Sequence, residues 1–480
     1  MANTNRLFGT DGIRGTAGEY PLDPPTVRRI GAALVRSLKS GPAAAYPERA
    51  ARSPASSRTA PHLLVGRDTR ESGSWIEAEL AHGATGEGAQ VTSAGVVPTP
   101  AVAYLTRGGE FEAGIVISAS HNPFEDNGIK VFSGQGEKFT ERVEAEIEAI
   151  IADRSWTTVG GTPPAVVTSD LVGAYLDHLV AVFPEAGTNG AASFDSRSAG
   201  AFAQDKALKI AIDCANGATT TVAPQLFERL GFATTVIGNE PDGRNINLDC
   251  GSTHPERLAA IVVERGCSIG VAFDGDGDRA IFVDHRGRIV DGDAVLLMCG
   301  RQLQSERRLK GDAIVATVMS NIGLELALQP LGISLVRCPV GDKYVMEEML
   351  ARNLSLGGEQ SGHIIFSDYL FTGDGLCTAL NVMRTVALSG RTLADLASDL
   401  TTYPQVLLNV RVREKVDLST VPPVADAVAR VESAVAGQGR LLVRYSGTEP
   451  LLRVMLEGQD QQQIHRWAQE IVDVVQKHLG

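Results

Sequence analysis

At 480 residues the chain exceeds what one hydrophobic core organises, and its 43% hydrophobic and 21% charged content is that of a folded protein, not a disordered one. A formal net charge of -13 argues against a general nucleic-acid or membrane surface and leaves any anionic small substrate in need of a local basic patch. The six cysteines are scattered, with no C-x-x-C pair and no clustering with histidines, which argues against zinc; with no apolar leader and no apolar run of about 18 residues, a reducing cytoplasm is expected.

In chain order, residues 8–15 read Phe-Gly-Thr-Asp-Gly-Ile-Arg-Gly and set Arg14 among three glycines ahead of any regular periodicity. Such a loop lets a ligand approach the backbone and offers a guanidinium fork to phosphate. A helix is predicted over 24–39, where Val27, Ile30, Leu34 and Leu38 recur at helical spacing. Residues 40–61, rich in Ala, Pro, Ser and Arg, read as a flexible surface insertion. A strand from 63 then runs into a basic turn ending at Arg70, followed by a helix over 75–84, a strand at 90–97, a helix near 101–105 and the apolar run at 113–117. This βαβ rhythm predicts a mainly parallel sheet covered by helices and closed by a charged helix at 141–153.

The run at 113–117 leads into Ser-Ala-Ser-His-Asn-Pro-Phe-Glu-Asp-Asn-Gly-Ile-Lys over 118–130. A buried strand ending in small and polar residues delivers a loop at the carboxyl edge of its sheet, where open α/β sheets carry their chemistry. Ser120 is therefore expected to be displayed as a nucleophile, on a loop shaped by Asn122, Pro123, Asn127 and Gly128. The competing reading is a solvated turn between a strand and a helix.

A second unit opens with a helix at 171–183, crosses another Gly/Ala/Ser-rich stretch at 184–207, and continues with a strand at 208–213, a helix at 222–230 and strands at 232–237 and 268–273. It ends in Asp-Gly-Asp-Gly-Asp-Arg over 274–279. Carboxylates at i, i+2 and i+4 fall on one side of an extended loop, and the glycines let the backbone curl so that Asp274, Asp276 and Asp278 converge. Oxygen ligands at that density suit a hard cation such as Mg2+. An EF-hand does not fit, because Arg279 stands where that loop needs Gly and His285 where it needs Glu. A solvated acidic turn is the alternative, and an unneutralised triad makes it costly.

A third unit repeats the scheme with a helix at 294–303, a strand at 313–317, a helix at 323–328 and a strand at 334–336. Its Gly-Gly-Glu-Gln-Ser-Gly-His run at 357–363 suits the vicinal hydroxyls of a sugar, or equally a hydrogen-bonded structural loop, and 340–344 offers a further substrate loop. From about Tyr403 the texture changes to strands at 406–412, 440–444 and 451–457 and an amphipathic helix at 460–478, a smaller α+β domain. There Arg-Tyr-Ser-Gly-Thr-Glu-Pro over 444–450 combines a guanidinium, hydroxyls and free amides, as a tetrahedral oxyanion requires. No G-x-x-x-x-G-K-S/T run occurs, so no nucleotide site is indicated.

Taken in order, 118–130, 274–279, 358–363 and 444–450 resemble the four active-site loops of the α-D-phosphohexomutase superfamily. The opening at 8–15, with Gly-Glu-Gln-Ser-Gly-His at 358–363, is closer to its bacterial phosphoglucosamine mutase branch than to the phosphomannomutase/phosphoglucomutase branch. The likeness spans nearly the whole chain, and 40–61 and 184–207 stand out as insertions expected to be dispensable for chemistry. It implies three similar mixed or parallel α/β domains, at 1–160, 168–284 and 285–396, and a smaller α+β domain at 403–480, around a central cleft. The implied reaction interconverts glucosamine 6-phosphate and glucosamine 1-phosphate through a sugar 1,6-bisphosphate intermediate, which also serves as activator, on the way to UDP-N-acetylglucosamine.

Carried over residue by residue, Ser120 would be the phosphoserine, and Asp274, Asp276 and Asp278 with an oxygen on Ser120 would hold one Mg2+ per chain. Arg14, His121, Lys130 and Arg279 would surround the reacting phosphoryl, Glu359, Ser361 and His363 the sugar, and Arg444, Ser446, Gly447 and Thr448 the other phosphate. His363 and Lys130 are both candidates for the general base. The resemblance favours a homodimer acting on a phosphorylated hexosamine, with no nucleic acid or membrane partner. A phosphomannomutase/phosphoglucomutase of the same mechanism is the alternative. A catalytically idle sugar-phosphate-binding protein, the reading from another class, would be expected to have lost Ser120 or one of the three aspartates, and all four are present.

Overall fold

The computed structural model describes residues 6–40, 60–108, 110–163, 165–183, 208–437, 439–446 and 450–480. Most of the expected insertion at 40–61, all of that at 184–207, and Gly447 and Thr448 lie outside the described residues. The described chain divides into two compact units, one running to Met319 and resuming over Leu335 to Ala397, the other made of Ser320–Ser334 and Ser398–Gly480. No helix among the described residues is long and apolar enough to cross a membrane.

The first unit contains three sheets flanked by helices. The amino-terminal sheet has the order Phe8–Gly9, Gly12–Thr16, Asp126–Ser133, Ala113–Ile117, His62–Arg67, Gln90–Val96, Val167–Thr168. Every residue of Ala113–Ile117 is buried, as a strand covered on both faces requires. The expectation of a mainly parallel sheet is corrected: three of its pairings are parallel and three antiparallel. The cause lies in 118–125, too short for a crossover helix, so the chain returns beside Ala113–Ile117 in the opposite sense, with Val116 facing Lys130.

The second sheet runs Ile289–Val290, Ala280–Asp284, Ile269–Phe273, Lys209–Asp213, Ala233–Ile237. Lys209–Asp213 pairs in parallel with both Ile269–Phe273 and Ala233–Ile237, whereas Ile269–Phe273 and Ala280–Asp284 form an antiparallel hairpin closed at Phe273 and Ala280, and Ile289–Val290 adds a second antiparallel pairing. The third sheet, Ser334–Cys338, Ala313–Thr317, Leu356–Gly358, Ile364–Phe366, again joins a parallel pairing to a hairpin. Each of the three sheets thus combines parallel pairings with at least one antiparallel return. Helices Glu256–Arg265, Asp342–Arg352, Gly375–Ser389 and Pro422–Val435 had no counterpart among the predicted elements.

In the second unit Gln405–Arg411, Leu451–Gly458 and Gly439–Tyr445 form an antiparallel sheet whose core includes Val424 and Val431 of Pro422–Val435 and Ile464 and Ile471 of Gln461–Leu479. The segment before helix Ile322–Leu328 is woven into it. Asn321 Nδ2 donates to the Tyr403 carbonyl at 3.0 Å and to Glu457 at 3.3 Å, and the Ile322 amide donates to Glu457 at 3.2 Å. Glu457 is fully buried and also accepts from Arg440 Nε at 2.9 Å, so its charge is compensated where water is excluded.

Candidate active site

Ala113–Ile117 delivers Ser120 to the carboxyl end of its strand in a left-handed conformation, φ 53°, uncommon for any residue but Gly, Asn or Asp. The expectation that Ser120 is displayed is corrected, since only 1% of it is exposed. The hairpin loop carrying 274–279 covers it so closely that a Cβ at Gly275 would come within 2.5 Å of the Ser120 carbonyl oxygen. Glycine at 275 therefore sets the approach of the two loops as much as it curls its own. The Ser120 hydroxyl donates to Asp274 Oδ2 at 2.5 Å and lies 3.3 Å from His121 Nδ1.

Closing the hairpin at Phe273 and Ala280 folds Asp274, Asp276 and Asp278 inward, where a ligand oxygen from each lies within 4.8 Å of the others. All three are buried. Burial, then Asp278 and Asp276, push Asp274 well above the usual carboxylate range. Burial also opposes the charge on Asp278, but Lys130, His363 and Arg279 outweigh it and hold that carboxyl well below the usual range. Asp276 Oδ2 accepts from Thr99 Oγ1 at 2.5 Å and from Lys130 Nζ at 2.8 Å. Asp276 Oδ1 and Asp278 Oδ1 are buried without a hydrogen-bond partner among the described residues. Convergent carboxylates with acceptor oxygens left over fit a hard divalent cation such as Mg2+.

Lys130 is on the strand Asp126–Ser133, not on the loop that the sequence suggested, and is 1% exposed. Strand geometry fixes its ammonium between Asp276, Asp278 at 3.1 Å and Asp11 at 3.0 Å. Burial works against its charge, yet Asp11, Asp276 and Asp278 raise it well above the usual lysine value. Asp11 also pairs with Arg14 and, at 2.5 Å, with Lys138, which pairs in turn with Asp342. Asp342 Oδ2 lies 3.6 Å from His363 Nε2, and His363 Nδ1 3.7 Å from Asp278, so the contacts close into a ring through the His363 imidazole. His363 Nε2 accepts from the Gly373 amide at 3.0 Å.

Arg14, His121, Arg279, Glu359 and His363 line one cavity of about 560 Å3, together with Asp342 from the predicted loop at 340–344. Arg14 Nη1 donates to the Ala119 carbonyl at 3.0 Å, and Arg279 Nη1 lies 3.2 Å from His121 Nδ1. Burial, with Arg279 and Arg14 close by, draws His121 down to about 4, leaving its ring neutral near pH 7. Glu359 accepts from the Gly341 amide at 3.2 Å and from the exposed Ser361 hydroxyl at 3.4 Å. Arg444 and Ser446 belong to the second unit. Arg444 faces Arg453 across the sheet, and buried Ser446 accepts from Lys415 Nζ on its carbonyl at 2.6 Å.

Asp11, Asp68, Arg70, Thr99, Lys138 and Asn247 were not singled out from sequence, although Lys138 pairs with Asp11 and the other five contact predicted residues or the 118–130 loop. For Asp11 the signal was available, since it lies inside the 8–15 motif beside Arg14.

Family models for phosphoglucomutase/phosphomannomutase match the chain in four parts: alpha/beta/alpha domains I, II and III at residues 5–158, 191–287 and 291–403, and the C-terminal domain at 407–474. A phosphoglucosamine mutase of Solibacter usitatus is 47% identical over 99% of both chains, and one of Geotalea daltonii is 42% identical over 99% of this chain and 98% of its own. A crystal structure of a phosphoglucomutase/phosphomannomutase family protein from Burkholderia thailandensis aligns with TM-score 0.75 at 23% identity, covering 99% of this chain and 98% of that one. That of Aspergillus fumigatus N-acetylphosphoglucosamine mutase, in complex with GlcNAc-6P and magnesium, aligns with TM-score 0.62 at 18% identity, covering 95% and 97%.

Proposed function

The chain belongs to the phosphoglucosamine mutases of the phosphoglucomutase/phosphomannomutase family, and from that premise we propose that it interconverts glucosamine 6-phosphate and glucosamine 1-phosphate by way of Ser120. The observation that carries the reading is the Ser120 hydroxyl, 2.5 Å from the first aspartate of a convergent triad and beside His121, which lines a cavity with the guanidinium groups of Arg6, Arg14 and Arg279. A phosphoryl group on Ser120 Oγ passes to the free hydroxyl of the bound monophosphate: the P–Oγ bond breaks, the new P–O bond forms, the hydroxyl proton goes to a base, and the departing Ser120 Oγ takes up a proton. The sugar 1,6-bisphosphate turns, and its other phosphoryl group returns to Ser120, releasing the isomer.

Such a transfer spreads charge over equatorial oxygens and needs positioning and positive charge more than covalent help. Arg14, Arg279 and Lys130 supply that charge from three elements, and neutral His121 adds a ring nitrogen beside Oγ. Asp274, Asp276 and Asp278 with an oxygen on Ser120 would hold one Mg2+ per chain, which when bound neutralises the transferring phosphoryl group. Glu359, Ser361 and His363 orient the sugar. Arg444 and Ser446, with Gly447 and Thr448, take the phosphate that is not reacting. The enzyme acts in the cytoplasm, as a homodimer.

Initial rates on glucosamine 6-phosphate, glucose 6-phosphate and mannose 6-phosphate test the reading. The highest kcat/KM is expected on the amino sugar, and a preference for mannose 6-phosphate would replace it with the phosphomannomutase alternative.

A second measurement concerns the other phosphate. One phosphoserine serves both ends of the sugar, so the site for the unreacting phosphate must accept it from either orientation, which a guanidinium fork with hydroxyl and amide donors does. Arg444→Ala is expected to raise KM for both monophosphates and to release more bisphosphate, while Ser120 keeps its phosphate. A charge-assisted contact is worth about 1.5–3 kcal/mol, a loss on the order of tenfold to a hundredfold in kcat/KM. Lower stability with unchanged kinetics and no leakage of bisphosphate would remove Arg444 from the site.

A further inference from the structure

The loop that bears Ser120 turns its carbonyl groups onto one buried guanidinium. Arg70, 1% exposed, donates from Nη2 to the carbonyls of Ser120 at 3.0 Å and Asn122 at 2.8 Å, and from Nη1 to that of Pro123. Its Nε and its amide are held by Asp68 at 2.9 and 3.0 Å, and Asp68 also takes the Ser118 hydroxyl at 2.5 Å. From a separate element the buried amide of Asn247 reaches the same two carbonyls, Ser120 at 2.9 Å and Asn122 at 3.2 Å. Asn247 is itself in the left-handed region, φ 59°, with its backbone N–H donating to the Ala215 carbonyl at 2.9 Å.

Two donors on each of two loop carbonyls exceed what satisfying them requires. A left-handed serine persists only where its surroundings over-determine it, and this double clamp does so. The same contacts occupy the negative ends of the loop's peptide dipoles with cationic or amide donors, next to a hydroxyl that is to carry a dianionic group. Neither Arg70 nor Asn247 lines the cavity.

We propose that Arg70 and Asn247 are positioning residues for phosphoryl transfer, holding the backbone of Ser120 in the one conformation that aims its oxygen at Asp274. The inference rests on the reading of Ser120 as the phosphoryl carrier. A misaimed nucleophile costs turnover and leaves sugar binding alone, because the groups assigned to the sugar are untouched. Asn247→Ala is therefore expected to lower kcat on the order of tenfold to a hundredfold, with KM for glucosamine 6-phosphate within about twofold. Asn247→Gln, which keeps a donor on a longer arm, should recover part of the loss. Arg70→Lys should lose more, since a point charge cannot replace a fork that serves three carbonyls and a carboxylate.

Amide hydrogen exchange over 118–123 supplies a readout independent of activity, and Asn247→Ala keeps the test open should Arg70→Lys fail to fold. Faster exchange there in folded Asn247→Ala, with a kcat-only defect, is the expected result. Unchanged exchange, or wild-type kcat in the folded variant, would overturn the clamp. A wild-type chain without turnover, whose Asn247→Ala variant still exchanges faster, would leave the clamp standing and overturn the reading of Ser120.

Discussion

Ser120→Ala is expected to abolish mutase turnover and to yield a chain that carries no phosphate at this loop. The buried hydroxyls of Ser118 and Thr99 are not placed to substitute. The Ser118 hydroxyl is tied to Asp68 and that of Thr99 to Asp276, both at 2.5 Å and both buried, so neither is free to accept a phosphoryl group without breaking a short bond to a carboxylate. Removing a nucleophile outright costs on the order of ten-thousandfold or more, because binding and charge stabilisation remain but have nothing to act on. In the wild-type chain, intact mass should fall by one phosphate on phosphatase treatment, and Ser120→Ala should show no such change. Full activity in Ser120→Ala would sink the mechanism.

Exhaustive chelation is expected to be nearly as severe, with activity returning on addition of Mg2+. The triad brings three buried carboxylates together, and burial with the neighbouring Asp278 and Asp276 disfavours the charge on Asp274. Lys130 and Thr99 satisfy Asp276 Oδ2 but leave Oδ1 without a partner among the described residues. Asp276→Asn withdraws one of those charges and weakens the pairing of Lys130. Its turnover should fall on the order of a hundredfold or more and stay low at saturating Mg2+. Calorimetric titration with Mg2+ gives a second reading, in which the Asp276→Asn variant should bind the ion more weakly than the wild type. Unchanged turnover in fully chelated protein would refute the metal assignment.

What the sequence disclosed depended on distance along the chain. The Asp274–Asp278 triad was legible because its geometry is local: alternate carboxylates and intervening glycines converge through a single hairpin. Helix Pro24–Ser40 was legible because its buried residues repeat at helical spacing. Gly375–Ser389 was not, since it is buried nearly all round and shows no polar face; the sign of it was Asp374, which caps its first turn by accepting from the Cys377 amide at 2.9 Å. Pro422–Val435 had its stripe of Val424, Ala427, Val431 and Val435 in plain view, with Pro at its start. Lys130 was placed on a loop because Gly128 and two asparagines read as turn residues, yet Gly128 lies in the strand, where any Cβ would strike the carbonyl of Ser118. The partners that hold the site, such as Lys138 to Asp342 and Asn247 to Ser120, are separated by more than a hundred residues. No local pattern encodes such pairs.

The second compact unit is discontinuous in sequence, and this bears on how its parts can be inherited or transplanted. Residues 320–334 leave the first unit and contribute Asn321 and helix Ile322–Leu328 to the second, and the chain then returns to the first over Leu335 to Ala397 before entering the second again. A fragment begun near Tyr403 would abandon the donors that Asn321 and Ile322 offer Glu457, and would lose the Thr401 carbonyl on which Gly323 packs without room for a side chain. A recombination crossover between 334 and 398 likewise brings a carboxylate from one parent against capping residues from the other. The piece that travels intact is not the carboxyl-terminal stretch alone but that stretch with an earlier helix.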